Sequence, residues 1–266
     1  MGFKLWIGAG IVVSVLVMAL VWQAGPTLVN RVERRMRNLL DAEAVRESRS
    51  IALARQHLAA ERSARLVIER MPTVESFDSD FSLLEHSLQA AAEMDGLYCE
   101  FGVASGRTIN FIAERAPDRT IHGFDSFEGL PQDWRSGFRK GTFRMDGLPA
   151  VRSNVELHQG WFNETLPAFV EQHSGPVSFV HLDADLYSST KTVLDLLGPR
   201  FVEGTVLQFD EYFNYPGWEQ GEFRAFEEFV SRPGIGFEYI GYCDGRDNFE
   251  QVAVRITSTP PAEASP

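Results

Sequence analysis

The feature that most constrains the fold is a set of apolar segments that each end in an acidic residue. Such segments are typical of parallel strands, whose carboxyl ends meet at one edge of a sheet. In open α/β folds this edge is where ligands bind. We therefore expect a ligand site lined by the acids at these ends, which are Glu100, Asp125, Asp183 and the pair Asp210 and Glu211.

The segments alternate with helical patterns, which predicts an α/β fold with a mostly parallel sheet and right-handed crossovers. A closing hairpin, Phe237–Cys243 and Phe249–Ile256, adds an antiparallel strand at or near an edge and brings the strand number to seven. The other predicted strands lie near 97–102, 120–125, 154–158, 177–183 and 203–209, and the helices between them lie near 106–115, 163–172, 188–197 and 219–231.

Charge is distributed unevenly along the chain. Residues 1–70 contain 11 Lys or Arg against 6 Asp or Glu, whereas residues 71–266 contain 14 against 31. So acidic a domain repels phosphate backbones, which excludes nucleic-acid binding by general electrostatics. Cys99 and Cys243 have neither zinc-ligand spacing nor a disulfide pattern, and we expect reduced intracellular thiols.

The N-terminus predicts a membrane anchor over residues 1–26. Leu5–Trp22 is an unbroken stretch of 18 apolar or small residues, long enough to span a bilayer. A cleaved signal peptide is the alternative, although Trp22 and Gln23 occupy the place of a cleavage site. Positive charge after the span predicts a single-pass protein whose catalytic domain faces the cytoplasm, and it comes from Arg31, Arg34, Arg35 and Arg37.

A helical stalk is predicted for residues 27–72, because Val29–Arg70 is charged, rich in alanine and free of glycine and proline. A solvated stalk is favoured over a long coiled coil. A shorter helix near Phe81–Met94 follows it. The catalytic domain is expected to cover residues 73–257, followed by a disordered tail at 258–266.

A glycine turn follows the first predicted strand of the sheet. Gly102 and Gly106 allow a sharp backbone turn close to a ligand, but the segment lacks the G-x-G-x-x-G dinucleotide pattern. Glu100 would repel a pyrophosphate and suits a ligand with a cationic centre. Asp125 is placed to bind both ribose hydroxyls, and a loop cap is its alternative role.

An acidic glycine turn followed by a ribose-binding acid resembles the class I S-adenosylmethionine-dependent methyltransferases, which have a Rossmann-like sheet. The resemblance is closer to the macrocin O-methyltransferase (TylF-like) family, over roughly residues 95–255. It is carried by three motifs in order, Gly123–Pro131 (which includes Ser126), His181–Thr190 and Phe209–Tyr212.

That family consists of magnesium-dependent sugar O-methyltransferases of antibiotic biosynthesis. The resemblance therefore implies S-adenosylmethionine as the methyl donor, with Ser126 beside Asp125 in its site. It also implies Mg²⁺ bound by Asp183, Asp210 and Glu211. Family members more often have two aspartates where this chain has Asp210 and Glu211, and they lack a membrane stalk, which leaves the acceptor open.

The residues themselves support this chemistry. Three carboxylates at one edge suit Mg²⁺, which could orient an acceptor hydroxyl and lower its pKa. Asp183, Asp185 and His181 are the candidates for the general base, although a histidine within a strand is more often a packed residue. Two further sets are predicted to line the site: Gly160, Trp161 and Phe162 beside the adenine, and Phe213, Tyr215 and Trp218 around the acceptor.

Two other functions stay open. Asp183-Ala184-Asp185 after an apolar strand also fits a membrane-anchored, metal-dependent glycosyltransferase with a D-x-D motif. That function leaves the Glu100–Gly106 turn and the Asp210 and Glu211 pair unexplained. A non-catalytic, membrane-tethered assembly factor is the second alternative. The expected partner is a small-molecule or glycan acceptor, and the chain acts as a monomer or as a homo-oligomer.

Overall fold

The computed structural model describes residues 30–42, 45, 49–245 and 249–260. The chain divides into two units, Met1–Arg55 and Gln56–Pro266. In the first unit, helix α1 spans residues 30–42 and is exposed along its length. The predicted anchor Leu5–Trp22 lies outside the described residues, and among those described no helix is long and apolar enough to cross a membrane.

Helix α2, Ile51–Arg70, differs from the predicted stalk in two ways. The helix starts afresh after Arg49 and Ser50, which are not helical, and Ser50 Oγ accepts the Leu53 N–H over 3.3 Å. From Gln56 onward α2 belongs to the second unit, where it buries Ala59, Ser63 and Leu66. This half is therefore a packed helix of the domain rather than a solvated stalk.

The predicted α/β fold is confirmed, with eight strands in the order β1-β7-β8-β6-β5-β2-β3-β4. The additional strand is β1, a two-residue strand parallel to β7 at one edge. The antiparallel strand is β8, which pairs with both β6 and β7. The strands are β1 Ser76–Phe77, β2 Leu97–Phe101, β3 Ile121–Asp125, β4 Val155–Gln159, β5 Val177–Leu182, β6 Phe201–Phe209, β7 Gly236–Cys243 and β8 Val252–Ser258.

Helices cover both faces of the sheet with their apolar sides. In α4, Ile109, Ile112 and Ala113 are buried on one face, at the spacing of an amphipathic helix. The predicted helix near 219–231 is divided at Gly221 into the 3₁₀ turn Trp218–Gln220 and helix α7. The helices of the domain after α2 are α3 Asp80–Ala91, α4 Arg107–Arg115, α5 Phe162–Gln172, α6 Tyr187–Leu197 and α7 Glu222–Val230.

The predicted tail boundary at 258 falls at the last residue of β8. Thr259 and Pro260 follow that strand without regular structure, and residues 261–266 lie outside the described part of the chain.

Parallel register aligns the carboxyl ends of the central strands. Phe101 of β2 pairs with Phe124 of β3 and with Leu182 of β5, and Leu182 pairs with Phe209 of β6. The acids that follow these positions therefore emerge at one edge. Residues 126–154, here called the β3–β4 loop, leave β3 at this edge and reach the start of the parallel strand β4 at the opposite edge without forming a helix or strand.

Candidate active site

A pocket of about 1130 Å³ opens at the carboxyl edge of the sheet. Its walls come from the turns after β2, β3, β5 and β6 and from the β3–β4 loop. Nine of the residues proposed from the sequence line it, namely Gly102, Asp125, Ser126, Trp161, Phe162, Asp183, Asp185, Asp210 and Glu211. The pocket lining does not include Glu100, Gly106, Gly160 or His181.

The glycine turn after β2 has the predicted conformation. Gly102 has φ +96°, and a Cβ there would lie 1.8 Å from the Asp183 carbonyl oxygen, so only glycine allows β2 and β5 to approach this closely. Gly106, with φ +80°, precedes the first residue of α4. It shapes the turn without reaching the pocket.

Asp125 is held firmly by backbone donors. Its Oδ2 accepts the N–H groups of Val103 and Ala104 over 2.9 and 2.8 Å, and its Oδ1 accepts that of Phe127 over 2.7 Å. The capping role therefore exists in this structure. A carboxylate has about four lone-pair sites, and three are used here, so Asp125, which also lines the pocket, keeps one site for a ligand hydroxyl group.

The turn after β4 continues this wall. The Gly160 N–H donates to the Asp125 carbonyl oxygen over 2.9 Å, which ties this turn to the end of β3. Trp161 is half-buried and caps α5, and Phe162 packs edge-on against Phe101 with 5.3 Å between ring centroids. Ser126 accepts the Glu128 N–H over 3.1 Å through its hydroxyl. Two aromatic side chains thus stand beside Asp125.

Asp183, Asp185 and Glu211 form an acidic group in which one oxygen from each lies within 4.8 Å of the others. Glu211 Oε2 is buried and has no hydrogen-bond partner. Burial, reinforced by the charge of Asp210, raises the pKa of Asp183 and of Glu211 well above the usual range. Hard divalent cations are bound by carboxylate oxygens, so three converging carboxylates, one with an unpartnered buried oxygen, fit such a cation.

The metal ligands predicted from the sequence are Asp183, Asp210 and Glu211, and two of these belong to the closest group of carboxylates. Asp210 lines the pocket, but its Oδ1 accepts a hydrogen bond from Gln251 Nε2 over 3.2 Å, and Asp185 completes the closest group instead. Asp185 has a φ of +59°, in the left-handed region that residues other than glycine rarely adopt. Burial and the charge of Asp210 raise its pKa to about 7, against the opposing effect of Arg135.

Glu100 and His181 are not brought to the pocket. Glu100 of β2 and His181 of β5 are paired in register, both are fully buried, and Glu100 Oε1 lies 2.9 Å from His181 Nδ1. Burial by itself lowers the pKa of His181, but the hydrogen bond and charge of Glu100 outweigh it and raise that pKa. Glu100 lies one residue before the end of its strand, so its side chain points to a face of the sheet.

Residues 99–212 match the family model described as "Methyltransferase domain". This segment is therefore similar to a methyltransferase domain. The matched range begins in β2 and ends just after the Asp210 and Glu211 pair, so it includes all of the pocket-lining acids named above.

Two curated proteins are similar to parts of the chain. An 8-demethyl-8-(2,3-dimethoxy-alpha-L-rhamnosyl)-tetracenomycin-C 4'-O-methyltransferase of Streptomyces olivaceus is 32% identical over 173 residues, which cover 50% of this chain and 65% of that protein. A demethyldecarbamoylnovobiocin O-methyltransferase of Streptomyces niveus is 31% identical over 132 residues, covering 41% and 48%. The chain thus spans less than two thirds of either relative.

Among solved structures, the calicheamicin methyltransferase CalS11 superposes with a TM-score of 0.54 at 21% identity. The superposition covers 77% of this chain and 93% of CalS11. At this level of identity the likeness concerns the fold alone.

The aromatic residues proposed from the sequence for the acceptor side of the site do not line the pocket. Phe213, Tyr215 and Trp218 are buried in the core, because the segment after Glu211 folds back against α2, where the Asn214 N–H donates to Ser63 Oγ over 2.9 Å. Their place at the pocket is taken by aromatic residues of the β3–β4 loop, which are Trp134, Phe138 and Phe143.

Two charged residues of the domain were missed by sequence reasoning. Arg135 lines the pocket, pairs with Glu250 at 2.8 Å and lies 4.1 Å from the Trp134 ring centroid. Glu222 is buried behind the acidic group, where its Oε2 accepts the Glu211 N–H over 3.1 Å and burial raises its pKa to about 8. Arg135 was missed because it lies in a loop that has no periodic pattern. Glu222 was missed because an acid in the first turn of a helix is usually a surface residue.

Proposed function

We propose that this chain is an S-adenosylmethionine-dependent O-methyltransferase that acts on a hydroxyl group of a sugar or glycan-like acceptor. The observation that carries the proposal is one pocket that joins the glycine turn and Asp125 to the acidic group of Asp183, Asp185 and Glu211. The rhamnosyl group in the name of the tetracenomycin relative supports a sugar acceptor. The match to a methyltransferase domain does not favour a D-x-D glycosyltransferase.

We also propose that the chain belongs to the TylF-like family and that its activity depends on Mg²⁺. When bound, S-adenosylmethionine would supply an electrophilic methyl group, and Mg²⁺ would lower the pKa of the acceptor hydroxyl. Asp183 and Glu211 would hold the cation, with Asp210 beside them.

With the donor bound, the acceptor oxygen would bond to the methyl carbon as the carbon–sulfur bond breaks, and sulfur would keep the electron pair of that bond. We propose that Asp185 accepts the proton of the acceptor hydroxyl. Asp185 belongs to the acidic group and also lies near the positive charge of Arg135. Positioning supplies much of the rate of such an in-line displacement.

The donor half of the proposal is tested by ligand-dependent unfolding. S-adenosylhomocysteine at a hundredfold excess over its Kd should stabilise the protein by roughly 2.7 kcal/mol. Asp125→Asn should weaken this effect, whereas the exposed control Glu203→Gln should keep it. Stabilisation by UDP-sugars with Mn²⁺, but not by S-adenosylhomocysteine, would establish the glycosyltransferase instead.

The metal half is tested by separating donor binding from transfer. Asp183→Ala should remove most methyl transfer to fractionated glycan extracts and leave S-adenosylhomocysteine binding nearly intact. Asp185→Asn should lower the rate by roughly a hundredfold or more, as expected for loss of a general base. Glu211→Asp should be mild and Glu211→Gln should weaken Mg²⁺ binding. A rate unaffected by EDTA, together with an active Asp210→Ala variant, would contradict the metal role.

We further propose that the chain is a single-pass membrane protein with its methyltransferase domain on the cytoplasmic side. The support is the apolar stretch Leu5–Trp22 and the four arginines that follow it, from Arg31 to Arg37. The cytoplasm is also where S-adenosylmethionine is made.

A further inference from the structure

The lysines and arginines of the second unit are almost all partnered. Every one that the structure describes between residues 56 and 260 has a side chain in an ion pair or hydrogen bond, except Arg139, Lys140 and Arg144. These three exposed residues, here called the basic triplet, lie together in the β3–β4 loop. In so acidic a domain, three neighbouring cations without counter-ions are unusual.

The backbone of the loop holds the basic triplet at the pocket. The Leu130 N–H donates to the Thr142 carbonyl oxygen and the Gly141 N–H to that of Leu130, both over 2.9 Å. The Arg139 N–H donates to Thr142 Oγ1 over 3.0 Å. Lys140 and Arg144 line the pocket, as does Phe143, which is 47% exposed. The turn is therefore ordered while its charged side chains are uncommitted.

The two parts of the pocket carry opposite charges. Four carboxylates, those of Asp183, Asp185, Asp210 and Glu211, lie at the sheet edge, and none forms an ion pair with a side chain of the basic triplet. The Asp133 carboxylate accepts the backbone N–H of Lys140 over 2.9 Å, but it forms no ion pair with a triplet side chain. Glu128 also lines the pocket but forms no ion pair with the triplet. A neutral glycoside would engage only the acidic part, whereas a sugar joined to an anionic group would engage both.

We infer that the basic triplet is a phosphate subsite, and that the methyl acceptor is a sugar carried on a phosphate or diphosphate. This inference rests on the proposed O-methyltransferase function. The sugar would lie at the acidic group and the phosphate at Lys140 and Arg144. Arginine binds phosphate oxygens through two parallel N–H groups and lysine binds them as a point charge. The phosphate belongs either to a nucleotide or to a lipid carrier.

The test uses the full-length chain in detergent and measures binding without Mg²⁺, so that pyrophosphate cannot bind through the metal. The double variant Lys140→Ala/Arg144→Ala should weaken pyrophosphate binding by roughly tenfold or more, since it removes two charge-assisted contacts. Lys140→Arg/Arg144→Lys should retain the affinity. The matched control Lys191→Ala/Arg224→Ala removes two cations that are paired on the surface and should change nothing.

Two diphosphate probes separate the sources. Thymidine diphosphate and geranyl diphosphate share the diphosphate group. A nucleotide carrier is indicated if thymidine diphosphate competes with pyrophosphate at the lower concentration, and a lipid carrier is indicated if geranyl diphosphate does. Both results depend on an intact basic triplet. S-adenosylhomocysteine binding by the double variant should stay at the wild-type level, and its absence in the wild type would mean that the proposed function has failed.

Three outcomes would overturn the inference. The first is unchanged pyrophosphate affinity in the double variant. The second is parallel loss of S-adenosylhomocysteine affinity, because the basic triplet would then hold the donor's carboxylate. The third is loss of flotation with phosphatidylglycerol vesicles while pyrophosphate affinity is kept, because the triplet would then contact the membrane surface.

Discussion

At the scale of single residues, the buried pair of Glu100 and His181 favours a structural role for His181 over a catalytic one. Breaking a buried ion pair leaves an uncompensated charge and typically costs about 3–5 kcal/mol. We expect His181→Gln to lower the free energy of unfolding by roughly that amount, with kcat of the folded fraction changed less than about threefold. Chemical denaturation and active-site titration measure the two quantities.

The double variant Glu100→Gln/His181→Gln provides the control for this prediction. It removes both charges, so part of the lost stability should return. A large drop in kcat at unchanged stability would restore His181 as a catalytic candidate.

The sequence predicted the acids of the pocket better than the groups around them. Asp125, Asp183 and Asp210 end or directly follow their strands, so parallel pairing alone places them at one edge. Glu100 pairs with Gly123 and His181, two positions before the level of Asp125 and Asp183, so it lies buried within the sheet rather than at its edge. Asp185 belongs to the acidic group, and its positive φ angle has no signature in the sequence.

At the scale of elements, strands β3 and β4 and helix α5 enclose three histidines. His122 Nδ1 lies 3.2 Å from His158 Nε2, and the rings of His122 and His173 are 4.9 Å apart. Burial, with smaller contributions from His158 and His173, lowers the pKa of His122 to about 4. His122 is therefore neutral in the folded protein at pH 7.

This depressed pKa makes stability depend on pH. The unfolded chain binds the His122 proton near pH 6.5 and the folded chain only near pH 4, so stability should fall by about 3 kcal/mol as the pH drops between these values. His122→Phe should flatten this part of the profile, whereas the exposed control His57→Gln should follow the wild type. Equal pH slopes for all three proteins would contradict the prediction.

Helix α2 leads to a second prediction at this scale. Its buried residues Ala59, Ser63 and Leu66, and the hydrogen bond from Gln56 Nε2 to the Asn214 carbonyl oxygen at 2.7 Å, tie it to the segment after the pocket acids. A chain that starts at residue 71 should lose about 3 kcal/mol or more relative to one that starts at residue 50. Denaturant unfolding of the two proteins checks this, and equal midpoints and slopes would refute it.

Most elements were predictable because their periodicity is clear, and the exceptions have physical causes. The stalk composition specified a helix but not its partner, and the small residues Ala59 and Ser63 carry little hydrophobic signal. Strand β1 is only two residues long and exists through its pairing with β7. The β3–β4 loop has no period of its own, so its place over the pocket could not be derived.

At the scale of the whole molecule, the membrane proposal predicts a defined orientation. A reporter fused after Pro266 that works only in reducing cytoplasm should be active, and one that needs an oxidising compartment should be silent. Replacing the arginines from Arg31 to Arg37 with glutamine should reduce this preference, since they outweigh Lys4 on the other side of the span. An active periplasmic or lumenal reporter would contradict the orientation and favour a cleaved signal peptide.

The β3–β4 loop has a consequence for how such proteins can diversify. It enters and leaves the sheet at neighbouring strands. The Phe127 N–H bond to Asp125 fixes its first end, and bonds from the Arg152 N–H to Asn110 and from the Asn154 amide to the Ala113 carbonyl oxygen fix its second end. Its central residues can therefore be exchanged without moving a strand. A graft of this loop from a relative should transfer preference for that relative's acceptor while the host keeps its own affinity for the methyl donor.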